Sequence, residues 1–384
     1  MENEKYDLSY SSLWKSIIRP PRDKYTIDIL GDEIFSFKGI TYLRKDYDII
    51  NNRGEILKCS FVEPTEDSRP SEIMPVVLYL HGNSSSRIEG LKCLPELLKR
   101  HINLFVFDFA GCGLSEGEYI SLGYREKDDV ELIVDFIEKI PRTGKIGLWG
   151  RSMGAATSLI FNSIDNRIIA TVYDSPFSEF TKLSKELSKK HANIPNFLAS
   201  FALTFIRSSI KDRNGLDIYK LNPIKNAEKV KIPGFFIHAM NDELIALEHT
   251  LSIFEVYKGE KSLNICEGGH NSTRQKHLLE KVAEFFKKHL FEDSNTNKEI
   301  NLDSKDKGKK KYSDNKFNED KDIIDDYVNI NIDKFEKNSV KSISTNSLDQ
   351  INDFEDLQSE INFENKLEDP LAEAGTFKAQ KDMN

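Results

Sequence analysis

Lys145-Ile-Gly-Leu-Trp149 runs directly into Gly150-Arg-Ser-Met-Gly154, which runs into Ala155-Ala-Thr-Ser-Leu159. The first piece is an apolar run of strand length, and the last is a small-residue segment of helical character. Between them lies the spacing G-x-S-x-G, which marks a serine carried on a sharp strand-to-helix turn. Each part has a physical reason. The chain turns so tightly that side chains two residues either side of the serine would clash, so glycine stands at both places. The serine is held in a strained conformation with its hydroxyl exposed above the sheet. The helix that follows aims its first N–H groups at an oxyanion formed beside that hydroxyl. Ser152 is therefore the expected nucleophile.

Outward from this turn, apolar runs alternate with helical segments. Residues 76–80 and 104–107 read as buried strands, and 91–99 as a helix. Residues 127–139 read as a second helix with Val130, Ile133, Val134 and Ile137 on one face. Downstream, 168–173, 234–239 and 263–266 continue the strands, and 283–290 lies in the last helix. Repeated strand–helix units imply an α/β fold, a mostly parallel central sheet with helices on both faces. Ahead of them, 41–50 and 55–63 flank Asn51-Asn-Arg-Gly54, a hairpin turn because Asn and Gly tolerate positive φ. One stretch breaks the rhythm. Residues 177–232 show helical patterning and no strand, and an insertion of this length in a compact domain is usually functional. It is read as a helical cap over the site. Phe197, Leu198, Phe201, Leu203, Phe205 and Ile206 make one helix apolar nearly all round, so it is buried or lines something greasy.

Composition bounds the alternatives. The chain of 384 residues is 39% hydrophobic and carries a formal charge of −9. Residues 293–384 hold 22 acidic and 14 basic side chains, leaving 41 and 40 in residues 1–292. The domain at 25–292 is thus nearly neutral, and no clustered basic excess suggests nucleic-acid binding. The last stretch, 293–384, is rich in Asp, Asn, Lys and Ser. Its apolar density is too low to offset ordering entropy, so it is expected to be a disordered acidic tail whose partner is unknown. Cys59, Cys93, Cys112 and Cys266 are dispersed and form no CxxC pair, so neither a metal site nor a disulfide framework is expected. That favours a reducing, cytoplasmic setting. No apolar run reaches the roughly 20 residues of a membrane span, and no signal-peptide pattern opens the chain. Within the N-terminal extension, 1–24, Trp14, Ile17 and Ile18 beside Lys15 and Arg19 suit either a peripheral membrane contact or packing on the domain edge.

The partners of Ser152 come from three other loops. In folds built on such an elbow, one oxyanion N–H belongs to the residue after the serine and another to a loop following an earlier strand. Met153 and Asn83, the latter in His81-Gly-Asn83, take those places. His81 precedes the serine and is read as bracing its loop. The apolar strand at 234–239 runs into Asn241-Asp242, and Asp242 is the expected acid, which fixes the histidine tautomer. Asp174 is the other candidate, while Glu243 is expected to point to solvent. Asp108 is read as a turn cap. Glu267-Gly-Gly-His270 follows the last strand, and His270 is the expected base. The order Ser152, Asp242, His270 is the chain order that goes with such an elbow. His238 is read as packed, and His101, His191, His249, His277 and His289 as ordinary surface groups.

His81-Gly-Asn83, Asp108-Phe-Ala-Gly-Cys-Gly-Leu-Ser-Glu-Gly117, Gly150-Arg-Ser-Met-Gly-Ala155, Asn241-Asp242 and Gly268-Gly-His270 together resemble the serine-aminopeptidase-like branch of the α/β-hydrolases. They look most like the subgroup with the Bem46-like and ABHD17-like serine hydrolases. The resemblance spans roughly residues 30–290. It implies the α/β-hydrolase fold with an eight-stranded sheet, a Ser-Asp-His triad, and no cofactor or metal. No N-terminal cysteine cluster of the kind found in palmitoylated depalmitoylases is present, and 293–384 has no counterpart. The expected activity is hydrolysis of carboxylic esters or thioesters, with acyl or lipid-like small molecules as substrates. A serine aminopeptidase and a non-catalytic binding protein on the same scaffold are the alternatives.

Overall fold

The computed structural model describes residues 14–291, apart from 16 and 193–195, and omits the side chains of 191–199, 201, 202 and 205. The expected tail at 293–384 lies outside the described residues. In chain order the strands are β1 (Ile34–Phe37), β2 (Ile40–Ile50), β3 (Ile56–Pro64), β4 (Met74–Leu80), β5 (Asn103–Phe107), β6 (Thr143–Arg151), β7 (Ile168–Asp174), β8 (Gly234–Ala239) and β9 (Lys261–Cys266). The helices are α1 (Ile88–Leu91), α2 (Leu94–Leu98), α3 (Glu126–Ile137), α4 (Met153–Asn162), α5 (Phe180–Ala192), α6 (Asn196–Asn214), α7 (Pro223–Ala227), α8 (Leu247–Val256) and α9 (Lys276–Phe291).

The nine strands among the described residues form one sheet in the order β1-β2-β3-β5-β4-β6-β7-β8-β9. The hairpin strands β1 to β3 are antiparallel, β3 joins β5 antiparallel, and the remainder are parallel. The implied count of eight is exceeded because the four-residue β1 pairs in register with β2 at the edge. The helix expected at 91–99 is split in two. Pro95 opens α2 and cannot donate the N–H that a continuous helix would need there.

Alternate residues of β4 show how both faces are covered. Val76, Leu78 and Leu80 join one cluster with Val130, Ile133 and Ile137 of α3 and Ala156 of α4. Val77 and Tyr79 join the other with Leu97 of α2 and Leu278, Val282 and Phe286 of α9. Strands buried on both faces read as continuous apolar runs, which is why 76–80 was legible as a strand. Near the N-terminus, Trp14 and Ile18 are buried in the first of these clusters, and the Arg213 guanidinium lies 4.3 Å from the Trp14 ring centre. Among the described residues, no helix is long and apolar enough to cross a membrane.

Register sets the site. Leu80 pairs with Gly150, and Arg151 with Asp174, which pairs with Ile237 of β8. The C-terminal ends of β4, β6, β7 and β8 therefore lie side by side, the usual place for a site in an open parallel sheet.

Candidate active site

At the end of β6, Ser152 adopts φ 51° and ψ −112°, a strained conformation for a residue with a side chain. Its N–H donates to the Asp174 carbonyl at 2.8 Å, which anchors the turn to β7. The two flanking glycines are sterically required. A Cβ on Gly150 would lie 2.4 Å from the Gly154 carbonyl oxygen, and one on Gly154 would lie 2.0 Å from the Leu80 carbonyl oxygen. Helix α4 starts at Met153, so its first N–H groups have no acceptor within the helix.

Around this elbow the structure brings three of the expected residues together. The Ser152 Oγ lies 3.0 Å from His270 Nε2, and His270 Nδ1 lies 2.7 Å from Asp242 Oδ2. The second Asp242 oxygen accepts the N–H groups of Leu244 at 3.0 Å and Ile245 at 2.7 Å. Burial disfavours the Asp242 carboxylate, but His270 and the Ile245 N–H outweigh it and hold its pKa below the usual value. Asn83 is exposed beside Gly82, and a Cβ placed on Gly82 would be 3.7 Å from the Ser152 Cβ. Met153 and the Asn83 loop thus flank Ser152.

Other acids and histidines sort by contact. Asp174 faces Arg274 in a bidentate pair at 2.7 and 2.8 Å, not His270. His81 is buried, with Nε2 accepting the Phe109 N–H at 3.1 Å, and it braces the loop after β4. Asp108 accepts the N–H groups of Arg87 at 2.6 Å and Leu114 at 2.9 Å. His238 is buried between Thr250 Oγ1 at 2.8 Å and the Ile245 carbonyl at 3.0 Å. Glu243 is exposed, as expected, and its Oε2 also accepts the His270 N–H at 3.1 Å. One expectation is corrected. His249 is no surface group: it is wholly buried on α8 and bonded to Ser178 and Glu186, since α5 packs over it.

Sequence reading missed the charges beneath the site. Arg151 Nη1 donates to Glu89 at 3.0 Å, and its Nη2 donates to the carbonyls of His270 and, at 3.2 Å, Ser272. Burial disfavours the Glu89 carboxylate, yet Arg151 and the Gly82 N–H hold its pKa below the usual value. The one available signal was Arg151 itself, a charge between a glycine and the serine of the elbow. Among the described residues, no group of three or more His, Cys, Asp or Glu could hold a metal ion.

An esterase of Pyrococcus furiosus superposes with a TM-score of 0.55 at 25% identity, over 71% of this chain and 98% of its own. The chain is an α/β-hydrolase. Acetyl xylan esterase 1 of Thermoanaerobacterium superposes on this hydrolase with a TM-score of 0.50 at 14% identity, covering 75% and 100%, a likeness of fold alone. The Bacillus subtilis protein YqkD is 27% identical over 255 residues, 62% of this chain and 82% of its own. The zebrafish lysophosphatidylserine lipase ABHD12 is 26% identical over 204 residues, which is 50% of this chain and 49% of that protein. A family model described as PhoPQ-activated pathogenicity-related protein matches residues 150–319 of the hydrolase, starting at the first glycine of the elbow.

Proposed function

We propose that this α/β-hydrolase cleaves carboxylic esters or thioesters through an acyl-enzyme on Ser152. The observation that carries the reading is the unbroken line from Ser152 Oγ through His270 to the buried Asp242, with hydrogen bonds of 3.0 and 2.7 Å. His270 Nε2 takes the Ser152 proton as Oγ attacks the acyl carbon. The Asn83 and Met153 N–H groups hold the oxyanion, which is where such a site gains most of its rate. The tetrahedral adduct collapses, and His270 returns the proton to the departing alcohol or thiol. A water molecule then attacks the acyl carbon, giving its proton to His270, and the acid leaves as Ser152 recovers its own. Asp242 keeps the proton on Nδ1 and stabilises the imidazolium.

Residues 177–232 form the cap of this reading. Leu203, Ile206 and Ile210 of α6 are buried, while the side chains of Phe197, Leu198, Phe201 and Phe205 lie outside the described residues. An apolar helix in that cap suits an acyl chain. Similarity to a Pyrococcus esterase and a zebrafish lipase supports esters over peptides. The test is fluorophosphonate labelling followed by p-nitrophenyl esters of graded length. Each buried methylene contributes about 0.8 kcal/mol, so kcat/KM should rise several-fold for every two carbons until the slot fills. A flat profile, or faster cleavage of aminoacyl amides, would reject the acyl-pocket reading.

A further inference from the structure

A buried ion pair joins the three loops from which the proposed reaction is assembled. Arg151 stands beside the nucleophile, and Glu89 stands on α1, facing the loop after β4. Their side chains are 9% and 8% exposed, too little for either to be a solvated surface charge. Glu89 uses one oxygen on the Arg151 guanidinium at 3.0 Å and the other on the Gly82 N–H at 2.9 Å. Arg151 uses its other terminal nitrogen, Nη2, on the carbonyls of His270 and Ser272. Arg274 supports the same loop from the other side. It pairs with Asp174 and donates to the Gly269 carbonyl at 3.2 Å and the Ser272 carbonyl at 3.3 Å. The two guanidinium groups converge on one carbonyl of the histidine loop.

We propose that Arg151 and Glu89 are positioning residues: the pair sets the spacing between the Asn83 loop, the Ser152 hydroxyl and the His270 imidazole. This rests on the reading of Ser152 as the nucleophile. A buried charge pair is poor value as a source of stability, because desolvation consumes most of its attraction. It is well suited to geometry. The planar fork of arginine fixes the directions of its donors, and here they run from the elbow to the histidine loop and to Glu89, which in turn holds the Asn83 loop through the Gly82 N–H. A lysine could supply the charge but not the fork. Misplacement of reacting groups by about 1 Å costs on the order of 100-fold in rate.

The experiment compares Arg151→Met, Arg151→Lys, Glu89→Gln and the double variant Arg151→Met/Glu89→Met in the full chain. For each, kcat and KM on p-nitrophenyl butyrate, the fluorophosphonate labelling rate and the melting temperature are measured. The expected result is a fall of on the order of 100-fold in kcat for Arg151→Met with KM within about threefold, and partial recovery in Arg151→Lys. Glu89→Gln keeps the volume and an acceptor for the Gly82 N–H, and should lose about tenfold. The double variant replaces the pair by apolar volume, which buried pairs commonly tolerate without loss of stability. A folded double variant with slow labelling and low kcat supports the inference. Unchanged kcat in it, or in Glu89→Gln, overturns the inference, as does a rise in KM alone. Ser152→Ala run in parallel separates the two claims. If it stays active, the nucleophile reading fails; if it is dead while the pair variants turn over normally, only this inference fails.

Discussion

Ser152–His270–Asp242 and Ser178–His249–Glu186 are built from the same three kinds of side chain, each set joined by two hydrogen bonds. The distances are 3.0 and 2.7 Å in the first and 2.7 and 2.8 Å in the second. The rings are turned opposite ways. Nε2 faces the serine in the first set, while Nδ1 faces it in the second and also accepts the Ser178 N–H at 3.1 Å. Surroundings differ more. Ser152 is part-exposed on a strained turn at the start of a helix, whereas Ser178 is 2% exposed. The acid is reversed too, with the Asp242 side chain 1% exposed and that of Glu186 40%. Distances alone therefore do not define a nucleophile. Exposure, backbone strain and a helix N-terminus beside the hydroxyl separate the first set from the second. The second set instead ties the segment after β7 and helix α5 to α8.

The largest effects should fall on the first set. Ser152→Ala is expected to lower kcat by on the order of 10⁴- to 10⁶-fold with the fold intact, and to abolish fluorophosphonate labelling. Ser178→Ala should leave turnover within about threefold, as for a structural hydroxyl away from the reaction. Retained labelling in Ser152→Ala would break the comparison outright. Next come the acids. Asp242→Asn should cost about 10⁴-fold in kcat, because the amide favours the wrong imidazole tautomer. Asp174→Asn should show the opposite signature. It leaves the Arg274 guanidinium buried without its partner and should cost about 3 kcal/mol of stability, with a smaller loss of turnover. Denaturant melts alongside ester assays distinguish the two, and a larger kcat loss in Asp174→Asn would exchange their roles.

The sequence made the first set visible and hid the second for a physical reason. A G-x-S-x-G elbow has a local signature, because glycine is forced by contacts within a few residues, such as that of Gly150 with Gly154. Asp242 and His270 each follow an apolar strand, so topology carries them to the same end of the sheet as Ser152. The order of strands around the elbow was equally legible, since each central strand is a run of buried residues. The supporting contacts have no such signature. Arg151 meets the His270 carbonyl 119 positions away, and Arg274 meets Asp174 at a separation of 100. His249 looked like a surface group because α8 is amphipathic and the covering helix, α5, comes from a segment with no strand register to place it. Glu243 adjoins an acid already assigned, and only the fold of the glycine-rich loop brings the His270 N–H to its carboxylate.

The smallest predicted effect is on stability and concerns the second set. Burial holds the His249 pKa below its ordinary value of 6.5, with Lys182 assisting, even though Glu186 and Glu248 act to raise it. His238, buried beside Asp242, is lowered by the same cause. In the unfolded chain both rings take up a proton near pH 6.5, while in the fold they stay neutral to lower pH. The unfolded state therefore binds more protons across that window, and stability must fall as pH drops below about 6.5. Each ring contributes at most about 1.4 kcal/mol per pH unit. The depressed carboxylates Asp242, Asp174 and Glu89 act in the same direction but further down: their contributions are present above about pH 4 and are lost as pH falls through their folded values. The two windows are separable. Urea melts between pH 8 and 5 should show a decline that is shallower in His249→Gln, while kcat at pH 8 stays within about threefold of the parent. If the variant declines as steeply as the parent, His249 takes up a proton within the fold over this range. The second set would then be an ion pair with Glu186 rather than a neutral hydrogen-bonded latch.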